Sequence, residues 1–304
     1  MHEESTDRLQ ISIFGLWRNA EKYIEKTLAQ LEALETRYDL SYYFYENDST
    51  DNTSSILEKW MKSRQGKFSS NNLGDDLFTN KDVGERLIQR MKKMAYYRNL
   101  MLQLGLDDKV NTEWSLVLDT DIEFDANIID DYLKYHYKGV VMMTPHIEQT
   151  VKCHICDPPC NKLSYYDSWA LRTKESPCRS VTFGCNPFWE KDNRDKYKKG
   201  ETVEVECAFG GIALIKTKSL TQSKWDTTGD CEHVMFAEGI RKTGKIIVCP
   251  KVKVYTLVEG VEVDPAHTEF QRARINDAWA HKAALFQEQS LRAKAAEAYL
   301  KQWS

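Results

Sequence analysis

The sequence predicts an α/β fold in which helices flank a mixed, mainly parallel sheet and a helical tail ends the chain. Two observations lead to this prediction. Strand-like and helix-like segments alternate through the first half of the chain, an order that favours parallel strands. Four of the five residues from Trp114 to Leu118 are apolar, which is the pattern of a strand buried on both faces.

The first half of the chain contains two strand–helix units followed by a longer helix. Apolar and aromatic runs predict the strands, and apolar residues at three- and four-residue spacing predict an amphipathic first helix. Gly105 is placed to end the third helix, and the polar stretch 65–81 before that helix is predicted to be a loop. The predicted elements are strands at 9–17 and 40–45, and helices at 20–36, around 56–61 and at 83–104.

The second half of the chain alternates less regularly. Gly210-Gly211 separates two β-like halves of 203–216 and either lets the backbone approach a ligand closely or marks a bulge. Pro250 places the last strand, 245–255, at an edge or a bulge. The other predicted elements are strands at 114–118 and 139–143, a helix at 128–137, a charged mobile loop at 190–200 and a helical tail at 266–304.

Composition narrows the range of partners. The net charge of −4, from 42 Lys and Arg against 46 Asp and Glu, gives no argument for nucleic acid or an acidic membrane surface. The first ten residues are polar and do not predict a signal peptide, and no apolar run is long enough to span a membrane. We therefore expect a cytoplasmic protein, or one of the Golgi lumen if an anchor has been removed.

Two carboxylates follow the apolar run that ends at Leu118. Asp119 and Asp121 stand at i and i+2, so both side chains point to the same side of an extended chain. Open α/β folds bind ligands at the carboxyl ends of their parallel strands. The pair therefore predicts a site for a hard divalent cation, Mn²⁺ or Mg²⁺, together with a diphosphate. The alternative is a polar strand end that turns into a loop.

A second polar cluster follows the 40–45 strand. Glu46, Asn47 and Asp51 offer acceptors for the base edge and ribose hydroxyls of a nucleoside. The alternative is an Asx-type turn with a helix cap, which the same composition favours. Arg98, on the third predicted helix, is close in sequence to the strand that carries Asp119 and is expected to meet a diphosphate.

Eight cysteines are present, and five of them fall between positions 153 and 185. Cys153, Cys156 and Cys160 have a spacing that suits a structural Zn²⁺ or a small disulfide knot. Free thiols are the third interpretation, and the sequence does not choose among the three.

Taken together, these segments resemble the nucleotide-sugar glycosyltransferases of the GT-A fold, with their Asp-x-Asp motif. Within that group the chain is similar to the fungal capsule-associated α-1,3-mannosyltransferases. The resemblance covers roughly residues 10–256 and is carried by seven ordered segments: YENDSTDNT (45–53), MAYYRN (94–99), LVLDTDIEF (116–124), YYDSWALR (165–172), VECAFGGIALI (205–215), CEH (231–233) and IIVCPKVKVY (246–255).

The resemblance implies a nucleotide-sugar site, a metal site and a catalytic pair. The residues implied for the nucleotide sugar are Glu46, Asn47, Asp51, Arg98, Asp119, Asp167, Trp169, Arg172, Gly210 and Gly211. Those implied for Mn²⁺ or Mg²⁺ are Asp119, Asp121 and His233. Glu232 and Asp230 are implied to deprotonate the acceptor or to stabilise the transition state.

The same resemblance implies one GT-A domain at 1–256 and a helical extension at 257–304. Within the domain, 8–125 would be the nucleotide-binding half, and 126–256 the acceptor half with a cysteine-rich insert at 146–190. The expected partners are a nucleotide-sugar donor and an oligosaccharide or glycoconjugate acceptor.

The first functional hypothesis is a metal-dependent glycosyltransferase that moves mannose from GDP-mannose with retention. An inverting enzyme that uses a UDP-sugar, with Glu232 or Asp230 as base, is an alternative. Two further alternatives are a sugar-phosphate nucleotidylyltransferase and a non-catalytic carbohydrate-binding protein. A nucleotidylyltransferase would need a glycine-rich loop after the first strand, where only Gly15 is present. The intact acidic residues and His233 argue against a non-catalytic protein.

Overall fold

The computed structural model describes residues 8–74, 83–153, 160–167, 169–175, 186–188, 190–227 and 231–257. Its helices are α1 (Ile24–Glu35), α2 (Thr53–Met61), α3 (Val83–Asp107), α4 (Ile128–Leu133), α5 (Lys191–Lys198), α6 (Thr217–Thr221) and α7 (Glu232–Arg241). Its strands are β1 (Gln10–Trp17), β2 (Asp39–Asn47), β3 (Gly66–Asn71), β4 (Trp114–Asp119), β5 (Ile122–Glu123), β6 (Val140–Cys153), β7 (Cys160–Tyr165), β8 (Val203–Val205), β9 (Ile212–Lys216) and β10 (Lys245–Thr256).

One twisted sheet organises these elements in the order β3-β2-β1-β4-β9-β6-β10-β5, with β7 beside β6 and β8 beside β10. Strands β1, β2, β3 and β4 are mutually parallel. Strand β9 runs antiparallel to both β4 and β6, and β6 is parallel to β10. All the strands from β3 to β10 in this order except β9 therefore run in one direction, which confirms the predicted mainly parallel α/β sheet.

The predicted amphipathic helix α1 packs beside the sheet edge that carries Asp119 and Asp121 and is hydrogen-bonded to it. Its buried residues include Ile24, Leu28, Leu31 and Leu34, the apolar positions seen in the sequence. Burial of each such side chain contributes about 1.5–3 kcal/mol relative to exposure. From the same helix, the Thr27 hydroxyl donates a hydrogen bond of 2.7 Å to the carbonyl oxygen of Thr120. The helix therefore holds the backbone between the two carboxylates.

Two stretches predicted as loops are regular elements. Strand β3 lies within 65–81 and pairs with β2 at the edge of the sheet. It is polar and largely exposed, so it lacks the apolar alternation that identifies strands. Helix α5 lies within 190–200 and buries only Tyr197. Because nearly all of its remaining residues are charged, its sequence has no apolar stripe.

Gly105 does not end α3, which continues to Asp107. A Cβ at position 105 would lie 2.7 Å from the ring of Phe14, so the glycine permits close packing of α3 on β1. The bounds of two other elements also differ from those predicted: α4 stops at Leu133, and β6 continues to Cys153. The bulge predicted at Pro250 is present, because the register of β10 against β6 shifts between Cys249 and Lys253.

The predicted helical tail at 266–304 falls outside the described residues. Among the helices that the structure describes, none combines the length and the apolar content needed to cross a bilayer.

Candidate functional site

The carboxyl ends of β1, β2 and β4 meet at one edge of the sheet. In the strand register Trp17 of β1 lies beside Glu46 of β2, and Leu16 of β1 lies beside Asp119 of β4. The two acidic clusters found in the sequence therefore flank the end of the same central strand. This edge is where open α/β sheets bind ligands.

Arg98 is a buried cation between two carboxylates. Its Nη2 donates to Asp119 Oδ1 at 2.8 Å, and its Nε donates to Glu232 Oε1 at 3.4 Å. The guanidinium carbon lies 5.2 Å from the centre of the Phe209 ring. Burial lowers the pKa of Arg98, but the charges of Asp119 and Glu232 outweigh burial and raise it, so the group stays charged. Arg98 therefore joins the end of β4 to the start of α7.

One nitrogen atom of the Arg98 guanidinium takes no part in these contacts. Its Nη1 is buried and has no hydrogen-bond partner among the residues that the structure describes. A buried donor on a charged group costs free energy when it is unpaired. Arg98 Nη1 is therefore a charged hydrogen-bond donor that these contacts leave unused.

His233 is a neutral ring inside the base of this site. Burial and the charge of Arg98 lower its pKa well below the ordinary value. The indole Nε1 of Trp225 donates to His233 Nδ1 at 3.3 Å, which leaves the ring proton on Nε2, 3.7 Å from Glu232 Oε1. The ring also stacks on Phe209 with a centroid distance of 4.1 Å. In this state neither nitrogen offers a lone pair to a metal.

Asp121 is half-buried beside Asp119. Burial, with the like charge of Asp119 as the second cause, raises the pKa of Asp121 to about 6. Within the described parts of the chain, no group of three His, Cys, Asp or Glu side chains is arranged to hold a metal by itself. The predicted set of Asp119, Asp121 and His233 is therefore not gathered into a preformed metal site.

Asp167 holds the turn formed by Gly210-Gly211. Both glycines have positive φ, +67° and +71°, a conformation that glycine adopts readily. Asp167 Oδ2 accepts hydrogen bonds from the amide nitrogens of Phe209 at 2.9 Å and Gly210 at 2.7 Å. A Cβ at position 210 would lie 2.7 Å from Pro145 Cδ, so the turn has no space for a side chain there. Through this turn Asp167 positions Phe209 against Arg98 and His233.

A pair of substitutions at Asp167 separates its charge from its hydrogen bonds. Burial raises the pKa of Asp167 to about 6, so the folded chain binds this proton more tightly than the unfolded chain. The free energy of unfolding of the wild type should therefore fall as pH rises from about 4 to about 6. Asp167→Asn keeps an acceptor for both amides and should weaken that fall. Asp167→Ala should lose about 1–3 kcal/mol at pH 7.

Urea unfolding of the three proteins at pH 4, 5, 6 and 7 measures both effects. If Asp167→Asn is as unstable as Asp167→Ala at pH 7, the carboxylate charge rather than the two hydrogen bonds holds the turn.

Glu46 and Asn47 are buried at the end of β2 and take part in local hydrogen bonds. Glu46 Oε1 accepts from the amide nitrogen of Ser49 at 2.9 Å, and its other oxygen accepts from the Ser70 hydroxyl. Asn47 Nδ2 donates to Asp48 Oδ2 at 3.0 Å. These bonds fix the loop that follows β2 at the carboxyl edge.

Asp51 holds the same loop through an Asx-type turn before α2. Its Oδ1 accepts from the Thr53 amide nitrogen at 3.0 Å, and its Oδ2 accepts from the Glu21 amide nitrogen at 3.0 Å. The carboxylate thus joins the start of α2 to the segment before α1. The Asx-type turn that the sequence offered as the alternative to nucleoside binding is therefore present. The predicted cap is not, because the N-cap residue of α2 is Asn52 and its side chain makes no capping hydrogen bond.

Trp169 and Arg172 lie together in a short segment beside the β8–β9 connection. Arg172 is buried, and its Nη1 donates to the carbonyl oxygens of Trp169 at 2.7 Å and Leu171 at 2.9 Å. Its amide nitrogen donates to the carbonyl oxygen of Cys207 at 2.8 Å. Both residues therefore anchor this segment near the Gly210-Gly211 turn.

The remaining predicted residues are only partly described. Asp230 and Cys156 lie outside the described residues. Cys153 and Cys160 are opposite one another in the register of β6 and β7, so the zinc and disulfide interpretations stay predictions. Cys249 is a buried thiol outside any disulfide.

Two aromatic residues at this edge were missed by the sequence reasoning. Burial, followed by the charges of Asp121, Asp51 and Asp119, raises the pKa of Tyr23 to about 12, so Tyr23 belongs to the surroundings of these carboxylates. Trp225 binds His233 and stacks on Phe236 at 4.0 Å between ring centres. Only the position of Tyr23 soon after β1 could have drawn attention to it, and Trp225 carries no sequence signal.

Comparison with known families identifies the chain. A family model described as Cryptococcal mannosyltransferase 1 matches residues 18–279, most of the 304 residues. The chain belongs to this family. Membership of the cryptococcal mannosyltransferase 1 family confirms the resemblance seen in the sequence and places the chain among the glycosyltransferases. A search of curated proteins finds none that matches this sequence.

Two solved structures illustrate what this family member is similar to in fold. Residues 1–349 of TarS from S. aureus, in complex with UDP-GlcNAc, have a TM-score of 0.46 and 15% identity over 84% of this chain. The mannosyltransferase PcManGT from Pyrobaculum calidifontis, in complex with GDP-Man and Mn²⁺, has a TM-score of 0.48 and 16% identity over 84% of this chain. The match covers 60% and 59% of those two chains, so this chain spans about three fifths of their length.

Proposed function

We propose that this chain transfers mannose from GDP-mannose to a saccharide acceptor, with retention and with a divalent cation at Asp119 and Asp121. Its family supports mannose as the sugar. The observation that carries the proposal is the buried Arg98, which links Asp119, at the carboxyl edge of the sheet, to Glu232 at the start of α7.

The residues at this edge suit Mn²⁺ or Mg²⁺. Carboxylate oxygens are hard ligands, and Mg²⁺ commonly binds through one or two carboxylates plus substrate phosphates. Two adjacent carboxylates, one with its pKa raised to about 6, are relieved of mutual repulsion by a cation. When bound, the cation neutralises the charge that develops on the leaving diphosphate. His233 is left out of this set because its Nδ1 already accepts from Trp225.

Arg98 has two tasks in the proposed reaction. Through Nη2 it fixes the orientation of Asp119. Through the unpaired Nη1 it offers a charged donor to an oxygen of the donor substrate. Because the guanidinium is held on three sides by Asp119, Glu232 and Phe209, it needs little reorganisation when the substrate arrives.

Glu232 is the proposed catalytic carboxylate. It is the first residue of α7, buried between Arg98 and His233. Its charge would stabilise the positive charge that develops on the sugar as the bond to the diphosphate breaks, or its oxygen would accept the acceptor proton. Asp230 remains the second proposed residue for the same tasks.

Glu46 and Asn47 are the proposed contacts for the nucleoside. Both are buried at the carboxyl end of β2, beside the end of β1. Tyr23 joins them because the charges of Asp121 and Asp51 act on its hydroxyl and help to raise its pKa. We assign Asp51 the structural role that its hydrogen bonds to Thr53 and Glu21 describe.

A screen of nucleotide sugars tests the function. The chain is incubated with each donor and Mn²⁺, without acceptor, and the released nucleoside diphosphate is measured. We expect GDP from GDP-mannose, complete loss of release with excess chelator, and recovery on addition of Mn²⁺. Asp121→Asn should abolish release, whereas the exposed Asp125→Asn should not.

Full release in excess chelator would contradict the metal assignment, and release from UDP-sugars alone would contradict the donor. With an acceptor present, the anomeric configuration of the product, measured by NMR, distinguishes retention from inversion.

A further inference from the structure

A cavity lies along β6, close in sequence to the residue of that strand that packs against the Gly210 turn. It has a volume of about 410 Å³ and is lined by parts of β6, α5 and the bulged section of β10. Pro145 packs against the Gly210 turn, and the next residue, His146, lines this cavity. Two consecutive residues of β6 therefore contact the turn that carries Phe209 and the cavity.

Positive charge dominates the rim of this cavity, although the whole chain is negative. Four lysines line it: Lys198, Lys199, Lys251 and Lys253. Within the described residues, the first three form no ion pair with a carboxylate, and Lys253 Nζ lies 4.0 Å from Glu148 Oε1. Glu148 is the only acidic residue among the described lining residues. The rim thus carries an excess of positive charge that is only partly offset, by Glu148 near Lys253 and by Asp195, whose pKa Lys198 helps to lower.

The floor of the cavity is polar and hydrogen-bonded. His146 Nε2 lies 2.7 Å from Glu148 Oε1, and His146 Nδ1 pairs with the Tyr197 hydroxyl. All three side chains are buried. Glu148 is hydrogen-bonded to His146. Its carboxylate is therefore partly occupied inside the protein and offsets less of the lysine charge at the opening.

Gly200 shapes the wall on which one of the lysines lies. It has a φ of +76°, and a Cβ there would lie 2.3 Å from Lys251 Cε. The glycine therefore lets the Lys251 side chain pass across the end of α5, at the cavity. Lysine ammonium groups act as point charges and suit carboxylate or phosphate oxygens without a fixed bidentate geometry.

We infer that this cavity binds an anionic group, a carboxylate or a phosphate, carried by the saccharide acceptor. The identity of the carrier as the acceptor rests on the proposed function. The anion site itself rests on the lysines and the cavity. Its link to the candidate site is β6, where Pro145 packs against the Gly210 turn and the next residue, His146, lines the cavity.

Direct binding tests this inference without any transfer reaction. Calorimetric titrations of the full chain use trigalacturonate for the carboxylate, mannose 6-phosphate for the phosphate and maltotriose as the neutral probe. We expect one or both anionic probes to bind, more weakly at high salt, and maltotriose not to bind. Whichever anionic probe binds identifies the group.

Two matched triple variants assign the binding to the cavity. K198Q/K199Q/K251Q should weaken the anionic probe about tenfold or more, the combined loss expected for three exposed ion pairs. K59Q/K218Q/K242Q removes three exposed lysines elsewhere and should leave binding unchanged. GDP-mannose affinity should be the same in both, which shows that both variants are folded.

The inference is overturned if neither anionic probe binds, if maltotriose binds equally well, or if the two triple variants behave alike. Lysine-dependent binding of an anion by a chain that hydrolyses no nucleotide sugar would instead contradict the proposed function and leave the anion site in place.

Discussion

Exchange of Glu232 for glutamine is expected to lower turnover by ~10²–10⁴-fold, the range observed for general acid–base groups. Glutamine keeps the size of the side chain and an acceptor for Arg98 Nε, which lies 3.4 Å from Glu232 Oε1. The buried arrangement around Arg98 should therefore survive. What the variant loses is the charge and the base that the proposed reaction needs.

Kinetics at saturating donor, combined with calorimetric titration of the donor, measure both sides of this expectation. Donor affinity should stay within about twofold of the wild type, because Glu232 is proposed to act on the acceptor or the sugar cation. Glu238→Gln, an exposed exchange on the same helix, is the matched control and should change neither quantity. If Glu232→Gln loses donor affinity and keeps its turnover, Glu232 belongs to donor binding, and the catalytic assignment passes to Asp230.

Removal of the Arg98 charge is expected to destabilise the fold and stop donor turnover. Arg98→Met leaves Asp119 and Glu232 close together without the cation between them. Breaking a buried ion pair by removing one partner typically costs 3–5 kcal/mol. Because the Asp119 side chain is 31% exposed, water screens part of this repulsion, and we expect a loss of about 3 kcal/mol.

Chemical denaturation of Arg98→Met and of the exposed Lys92→Met on the same helix measures this loss. The triple variant R98M/D119N/E232Q carries no unpaired charge and should recover most of the stability while remaining inactive. An Arg98→Met protein as stable as the Lys92→Met control would show that the two carboxylates do not depend on Arg98.

The carboxyl-edge cluster was predictable because it depends on strand pattern alone. The apolar run 114–118 identified strand β4. The polar residues that follow β1, β2 and β4 then indicated which side chains would share one edge of the sheet. The glycine pair at 210–211 marked an unusual backbone conformation, offered as a ligand approach or a bulge and found as a turn, and one of the two alternatives at Pro250, the bulge, is present. Each of these features is local in sequence.

The roles of individual side chains depend on contacts that join distant parts of the chain. Arg98 was expected to meet a diphosphate, but its pairing with Glu232, 134 positions away, carries no sequence signal. The protonation state of His233 likewise depends on the indole of Trp225. Asp51 illustrates the reverse case, since its local composition predicted nucleoside binding or an Asx-type turn with a helix cap, and only the structure shows the turn.

The polar elements β3 and α5 show a third limit. Strand β3 is held by backbone pairing to β2 at the edge of the sheet, and α5 is covered with charged residues apart from Tyr197. Neither has the hydrophobic periodicity from which elements are predicted. The lysines of the proposed anion cavity are brought together by these less predictable parts of the chain.

The most direct test of the central claim is calorimetric titration of GDP-mannose in the presence of Mn²⁺. The wild type should bind the donor, and D119N/D121N should lose at least ~10-fold in affinity, because the variant keeps neither of the two carboxylates proposed to hold the cation. In chelator the wild type and D119N/D121N should bind equally weakly. Equal affinity of the two proteins in Mn²⁺ would contradict the assignment of the carboxyl edge of β4 as the donor site.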